Sequence, residues 1–364
     1  MGCSWRWPRS RSRWRRKVLG EVIVLGKGFL GKGFIGRLLM LGTVLWGSAS
    51  FAVSASEGPV SESFPPEALA RFLAETAATT TLDPAWLAAT LAQATYQPAI
   101  IEAISKPAER TLTWGRYRAI FLKPDRIEAG LAFYAAHRET VDAVAETYGV
   151  SWPYVLAILG IETRYGQFFG RWRVLDALAT LGLAYPPRQA FFAGQLRVFL
   201  EQMYAAGLDP TDRLGSYAGA MGYGQFIPSS YRDFAVDFDG DGQRNLWAVG
   251  DAVASVANYL AVHRWQQGAE VARPLRAVPE AAKALRAPSL EPSTTVGALL
   301  ALGVGELAGL DPALPVALLE LEGVEGTEWV AGLPNLYVIT RYNRSYLYAM
   351  AVHELAQALA QGAP

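Results

Sequence analysis

Cysteine and histidine are scarce in this 364-residue chain: one cysteine, Cys3, and three histidines, His137, His263 and His353. Cys3 lies upstream of an apolar, uncharged run and lacks the small-residue context that precedes a lipidated cysteine. Downstream of it there is no disulfide, no thiolate nucleophile and no cysteine-ligated zinc. The histidines are scattered and lack metal-ligand spacing, so each reads as an ordinary surface or core side chain. Charge is scarce in a different sense. The formal net charge is zero, but residues 1–37 hold ten Lys and Arg against the single acid Glu21. The rest carries 23 basic and 32 acidic residues, a net of −9 that argues against a nucleic acid partner.

Residues 38–56 carry no charge and pass from LLMLGTVLW into small residues, SASFAVSAS. The apolar part is short for a membrane span, and the pattern is that of a signal peptide ending at Ala52 or Ala55. The expected organisation is a basic leader and signal peptide over 1–55, a Ser/Pro-rich linker over 56–66 and one domain over 67–364. Export to the periplasm, without lipidation, follows.

Apolar spacing in the domain predicts helix after helix: around Glu67–Thr76, Pro84–Ala92, Pro124–Tyr148, Trp152–Tyr165, Val174–Leu181, Arg188–Ala206 and Asp251–Gln266. Residues 270–294, rich in Ala and Pro, read as an extended connection. VALLELEG, TEWVAG and NLYVIT then read as three short antiparallel strands, before a last helix from Tyr346 to Ala360. The fold class is predominantly α-helical with a small antiparallel β-sheet near the C-terminus, an α+β arrangement.

Three segments carry chemistry. In ILGIETRYGQFFG, Ile158–Gly170, Glu162 follows Leu159 by three and Ile158 by four, which puts it on the apolar face of its helix. Burial among apolar groups raises a carboxyl pKa and suits it to donate a proton. The competing reading pairs Glu162 with Arg164 or Arg171 at a helix end. Gly166 and Gly170 are expected to break that helix and leave room for a ligand. Asp176, the next acid, reads as a surface or capping group.

The second segment, GSYAGAMGYGQFIPSSY over Gly215–Tyr231, alternates glycines with aromatic and amide side chains. Tyr217, Tyr223, Phe226 and Tyr231 can stack on sugar faces, while Ser216 and Gln225 can bond hydroxyl and acetamido groups. The third, DFDGDGQRNLWAVGD, places Asp237, Asp239 and Asp241 at the first, third and fifth positions of a calcium loop, with Gly242 at the sixth. Gln243 can add its backbone carbonyl. Ala248 stands where a closing Glu is usual, and Asp251 is the substitute three residues on.

Together with VLDALATLGL, FFAGQL, LWAVGDAVASVANYL and ITRYNRSYLYAMAVHELA, these segments resemble the lytic transglycosylase B family of murein-degrading enzymes over most of residues 65–362. The resemblance implies a lysozyme-like catalytic domain with Glu162 as single acid and base. It implies cleavage of the bond between N-acetylmuramic acid and N-acetylglucosamine with a 1,6-anhydromuramic end. It assigns substrate contacts to Tyr117, Arg188, Ser216, Met221, Gln225, Tyr259, Tyr342, Asn343 and Tyr348. A structural Ca2+ on Asp237, Asp239, Asp241, Gln243 and Asp251 also follows, with no organic cofactor. The implied partners are peptidoglycan glycan strands, and the same resemblance admits complexes for cell-wall synthesis or degradation. A water-using muramidase and a non-catalytic, calcium-stabilised peptidoglycan-binding protein are the alternatives. Pro187 departs from the family by replacing the first of an arginine pair, and Arg264 by replacing the glycine of a His-Gly-Trp, a change without obvious chemical consequence.

Overall fold

A computed structural model describes residues 63–105 and 112–363. The basic leader, the signal peptide and most of the linker lie outside the described residues. The domain opens with α1 (Pro66–Thr79), α2 (Pro84–Leu91) and α3 (Pro98–Ser105), and continues with α4 (Trp114–Phe121), α5 (Pro124–Ala136), α6 (Arg138–Tyr148) and α7 (Trp152–Thr163). The single helix expected over Pro124–Tyr148 is thus two, separated at His137, where φ is −125° and ψ 22°.

After β1 (Trp172–Arg173) come α8 (Val174–Ala184), α9 (Gln189–Ala206), β2 (Leu214–Gly215), α10 (Pro228–Phe234) and α11 (Val249–Val262). A sheet-bearing lobe follows with β3 (Ala272–Leu275), α12 (Glu280–Lys283), β4 (Thr294–Thr295), α13 (Val296–Ala301), β5 (Pro315–Glu322) and β6 (Thr327–Gly332). The chain ends on α14 (Pro334–Tyr342) and α15 (Tyr346–Gly362).

Three apolar cores organise these elements. One gathers α1, α2, α3, α8 and α9 around Leu175, Leu178, Phe192 and Phe199. The largest joins α4 to α7 with α11, α14 and α15 around Leu156, Leu159, Tyr348 and Val352. The third lies between the sheet and α13 around Leu299, Val316 and Leu318. The sheet is antiparallel in the order β3-β6-β5-β4, with Leu319 opposite Val330.

Two expectations about the sheet need correction. NLYVIT is not a strand but most of α14. Pro334 at its first turn has no N–H to lose and a φ already suited to a helix. Leu336 and Ile339, three apart, are buried on it, and this packing overrides the β-preference of Tyr, Val, Ile and Thr. The sheet is completed by β4, at the end of the stretch expected to be an extended connection, and by β3 inside it. The position of β3 at the sheet edge tolerates Pro274, which cannot donate to a ladder.

Helix α7 positions the candidate catalytic group. It is buried on all sides, not along one stripe: every residue from Val155 to Gly160 is inside. It starts at Trp152 with Pro153 in its first turn, although Ser151 makes no side-chain cap. Its end is set before the expected glycines. Arg164 (φ 51°) and Tyr165 (φ 60°) adopt the left-handed conformation, and their N–H groups reach back to the carbonyls of Gly160 and Leu159, both at 3.2 Å. Two successive non-glycine residues there are costly, and the surroundings hold them: the ring of Tyr165 packs against Gly160, where a Cβ would fall 2.5 Å from its hydroxyl.

Candidate active site

Glu162 occupies the last turn of α7 and is partly buried. Neither arginine proposed as its partner takes it. Arg164 pairs with Asp125 at 2.7 Å, and the guanidinium of Arg171 lies over the ring of Trp172. The hydroxyl of Tyr348, in the first turn of α15, donates to Oε1 of Glu162 at 2.7 Å. Burial first, and the Glu162 carboxylate second, push Tyr348 well above the ordinary tyrosine range, so it stays a protonated donor. Tyr342 is pushed up by the same two causes and stacks parallel to Tyr348 with ring centroids 6.5 Å apart.

The loop over 215–231 is fastened to α7 by Thr163, a residue that sequence reasoning missed. Its hydroxyl lies 3.0 Å from the Tyr223 carbonyl and also accepts from the Gly166 N–H at 3.0 Å. The only sequence signal was a hydroxyl residue next to Glu162 at a helix end. Gln225, left-handed at φ 49°, adds a second brace: its side-chain amide donates to the carbonyls of Phe169 and Gly222, each at 3.1 Å. The glycines expected to admit a ligand are filled by protein. A Cβ on Gly166 would lie 2.2 Å from the Tyr223 ring, and one on Gly170 1.9 Å from the Gly215 carbonyl.

Ser216 accepts from the N–H groups of Ala218 (3.2 Å) and Ala220 (3.1 Å), which holds the turn and leaves its hydroxyl proton to be donated. Met221 is fully buried, and its backbone exchanges two hydrogen bonds with Phe226, so it shapes the loop from behind. The hydroxyls of Tyr259 and Tyr342 donate to the carbonyls of Arg341 and Gly224, both at 2.5 Å, which ties α11 and α14 to the same loop. Tyr117 is buried on α4 and packs on Phe121. Arg188 and Asn343 line a cavity of about 740 Å³, which Tyr217 of the same loop also lines.

Asp176 is no surface group. It is 4% exposed, receives a two-pronged bond from Arg173 and accepts from the Thr95 N–H at 2.8 Å, a structural junction between α8 and the chain after α2. Two of the three histidines are likewise structural: Nδ1 of His353 pairs with the Tyr154 hydroxyl, and that of His263 with the Tyr259 carbonyl.

In the acidic loop, carboxylate oxygens of Asp237, Asp239 and Asp251 lie within 4.8 Å of one another. Asp251 is 1% exposed, and its two oxygens accept the N–H groups of Phe238 and Asn245, each at 2.7 Å. Asp237 accepts from Gly240 and Gly242. Asp241 stands outside this group and accepts the Gln243 N–H at 2.7 Å. Three of the four expected carboxylate ligands therefore converge.

Residues 65–357 match the family described as Transglycosylase SLT domain. The chain belongs to this family. Among relatives of this SLT-domain protein, membrane-bound lytic murein transglycosylase B of Escherichia coli is 41% identical over 266 residues, 71% of this chain and 70% of its own length. The structure of the soluble lytic transglycosylase SltB1 from Pseudomonas aeruginosa is 40% identical and superposes with a TM-score of 0.76, covering 81% of this chain and 99% of that one. An Escherichia coli lytic transglycosylase solved in complex with calcium is 38% identical with a TM-score of 0.70, covering 81% and 93%. The lysozyme-like, mostly helical SLT-domain fold expected from sequence is thereby established. Among the described residues no single helix is long and apolar enough to cross a membrane.

Proposed function

We propose that this protein is a murein lytic transglycosylase that cuts the β-1,4 bond between N-acetylmuramic acid and N-acetylglucosamine, with Glu162 as its one acid and base. The observation that carries the reading is the absence of a second acid, among the described residues, from the segments tied around Glu162. Glu162 is the only acid within α7, the reversal over 164–170, the loop over 215–231 and the stretch 334–348, the segments tied around it. Glycosidases that use water or a protein nucleophile place a second carboxylate across the bond. Here the substrate's own acetamido oxygen fills that role and attacks the anomeric carbon of the muramic residue while Glu162 protonates the departing oxygen. The Glu162 carboxylate then takes the proton of the 6-hydroxyl, whose oxygen closes on the anomeric carbon, expels the acetamido oxygen and regenerates the acid. Ser216, with a proton to donate, and the cavity side chains Tyr217 and Asn343 hold the sugar.

Calcium fits the acidic loop. Asp237, Asp239 and Asp251 supply the hard oxygens such an ion takes, and the ion would hold the loop over 237–251 against the start of α11. The basic leader and apolar run support export to the periplasm, where glycan strands are the partner. The deciding experiment is mass analysis of products from purified murein. Products lighter by one water than hydrolytic ones and resistant to borohydride carry an anhydro end. Reducible, full-mass products would support a muramidase instead, and no product a binding protein.

A further inference from the structure

Arg126, in the first turn of α5, is a cation placed inside the protein, with 8% of its surface exposed. Its Nη1 donates to the Gly160 carbonyl at 2.9 Å. That carbonyl also accepts the Arg164 N–H at 3.2 Å, so the charged donor is the closer of the two, at the place where α7 turns left-handed. Glu162 lies between Gly160 and Arg164 in the chain. The same guanidinium lies 5.0 Å from the ring centroid of Phe121, and Phe121 packs on Tyr117. Arg126 therefore joins α4, which carries Tyr117, to the end of α7, which carries Glu162. Its neighbours on α5 grip the same reversal: Asp125 pairs with Arg164 at 2.7 Å, and Gly130 makes room for the Tyr165 hydroxyl, which a Cβ there would meet at 2.3 Å.

Burial first, and the Arg164 charge second, hold the Arg126 pKa below the ordinary arginine value, so its surroundings disfavour the charge they contain. Stability alone gives little reason for such a group, since an apolar side chain of similar length fills the same space without desolvation. What the guanidinium supplies is direction. A planar fork with its edge on a carbonyl and its face on an aromatic ring fixes two helices at once. Any rotation of the last turn of α7 would move the Glu162 carboxyl away from the Tyr348 hydroxyl, 2.7 Å from it, and from the sugar oxygen it must protonate. We infer that Arg126 is a positioning residue for Glu162, which locks the last turn of α7 against α4 and sets the rate of the chemical step through that lock. The inference rests on the reading of Glu162 as the acid and adds to it a residue that acts only through the protein.

The test is steady-state cleavage of murein glycan strands by wild type, Arg126→Lys and Arg126→Met, each well below its melting temperature, with Glu162→Gln as a control. Arg126→Lys keeps the charge and a donor but not the planar fork, and its kcat should fall about two- to fivefold. Arg126→Met keeps only the length, and its kcat should fall about tenfold. KM should stay within about twofold of wild type in both, because neither change touches a group that holds the sugar. Wild-type kcat in either variant, an equal loss in both, or a KM that rises as kcat falls would overturn the inference. If the methionine protein does not fold, the lysine protein decides alone by the same limits on kcat and KM. The control separates the two readings. An active Glu162→Gln protein overturns the assignment of the acid, whereas an inactive one beside wild-type rates in the Arg126 variants overturns only the lock.

Discussion

The Tyr348 hydroxyl and the Glu162 carboxyl, 186 positions apart in the chain, are joined by a 2.7 Å hydrogen bond. Because Tyr348 is held protonated by burial and by the neighbouring carboxylate, the bond keeps one direction: tyrosine gives, Glu162 receives. Tyr348→Phe keeps the ring and its stacking on Tyr342 but removes this donor. Its kcat on murein should fall on the order of tenfold, with a smaller change in KM. Unaltered kcat would show that the bond plays no part in turnover.

Glu162→Gln retains the shape and a hydrogen-bonding head but has no proton to transfer. Release of soluble fragments from murein should drop on the order of 100-fold or more, with a melting temperature close to wild type. A purified, folded variant working within tenfold of wild type would remove Glu162 from the acid's role.

The acidic loop separates metal binding from folding. Calcium should raise the melting temperature of wild type and a chelator should reverse the rise, because the ion binds the folded cage in preference to the unfolded chain. Asp239→Ala should abolish that response and leave the metal-free protein little changed, since Asp239 is exposed. Asp251→Ala should lower the melting temperature even in chelator, because two N–H groups lose their acceptor at a cost on the order of 1–3 kcal/mol. Identical melts with and without calcium, from a metal-free start, would remove the ion from the account.

Arg264, expected to be inconsequential, sits at φ 73° just past the end of α11, where its N–H and that of Trp265 return to the carbonyls of Ala261 and Leu260. Glycine is favoured at this place in a helix ending because it has no Cβ to strain. Arg264→Gly should therefore stabilise the protein by about 1 kcal/mol in denaturant unfolding. A neutral or negative effect would mean that Arg264 makes up for the strain elsewhere.

Acid should weaken the fold through His353. Burial, opposed only weakly by Glu270, holds this ring down at about 4 against an ordinary 6.5. The folded state thus favours the neutral ring. Its contribution is complete above pH 6.5 and is lost as pH falls through 4, because the unfolded chain takes the proton first. The loss is on the order of 3 kcal/mol. Urea unfolding at pH 7.5 and 4.5 should show a smaller drop in His353→Gln than in wild type, and equal drops would exclude the ring as the cause.

Local features were legible in the sequence because they depend on neighbours a few residues away. The helical periodicity, the start of α7 at Trp152, Glu162 near its end and the Asp237 and Asp239 spacing of the acidic loop all follow from residue types at short separation. What the periodicity could not show is contact between distant segments. Propensity alone reads NLYVIT as a strand, yet Pro334 and the burial of Leu336 and Ile339 make it α14. Asp176 looks like a surface acid until Arg173 and the Thr95 N–H are seen to enclose it. Glu162 gains its hydrogen-bond donor from a helix 186 residues on, and Asn343 comes to line the same cavity as Arg188 only through the packing of α14 and α15. The chemical groups were written into the chain locally, whereas their mutual distances were set by burial, which brings together whichever surfaces exclude water best without regard to their separation in sequence.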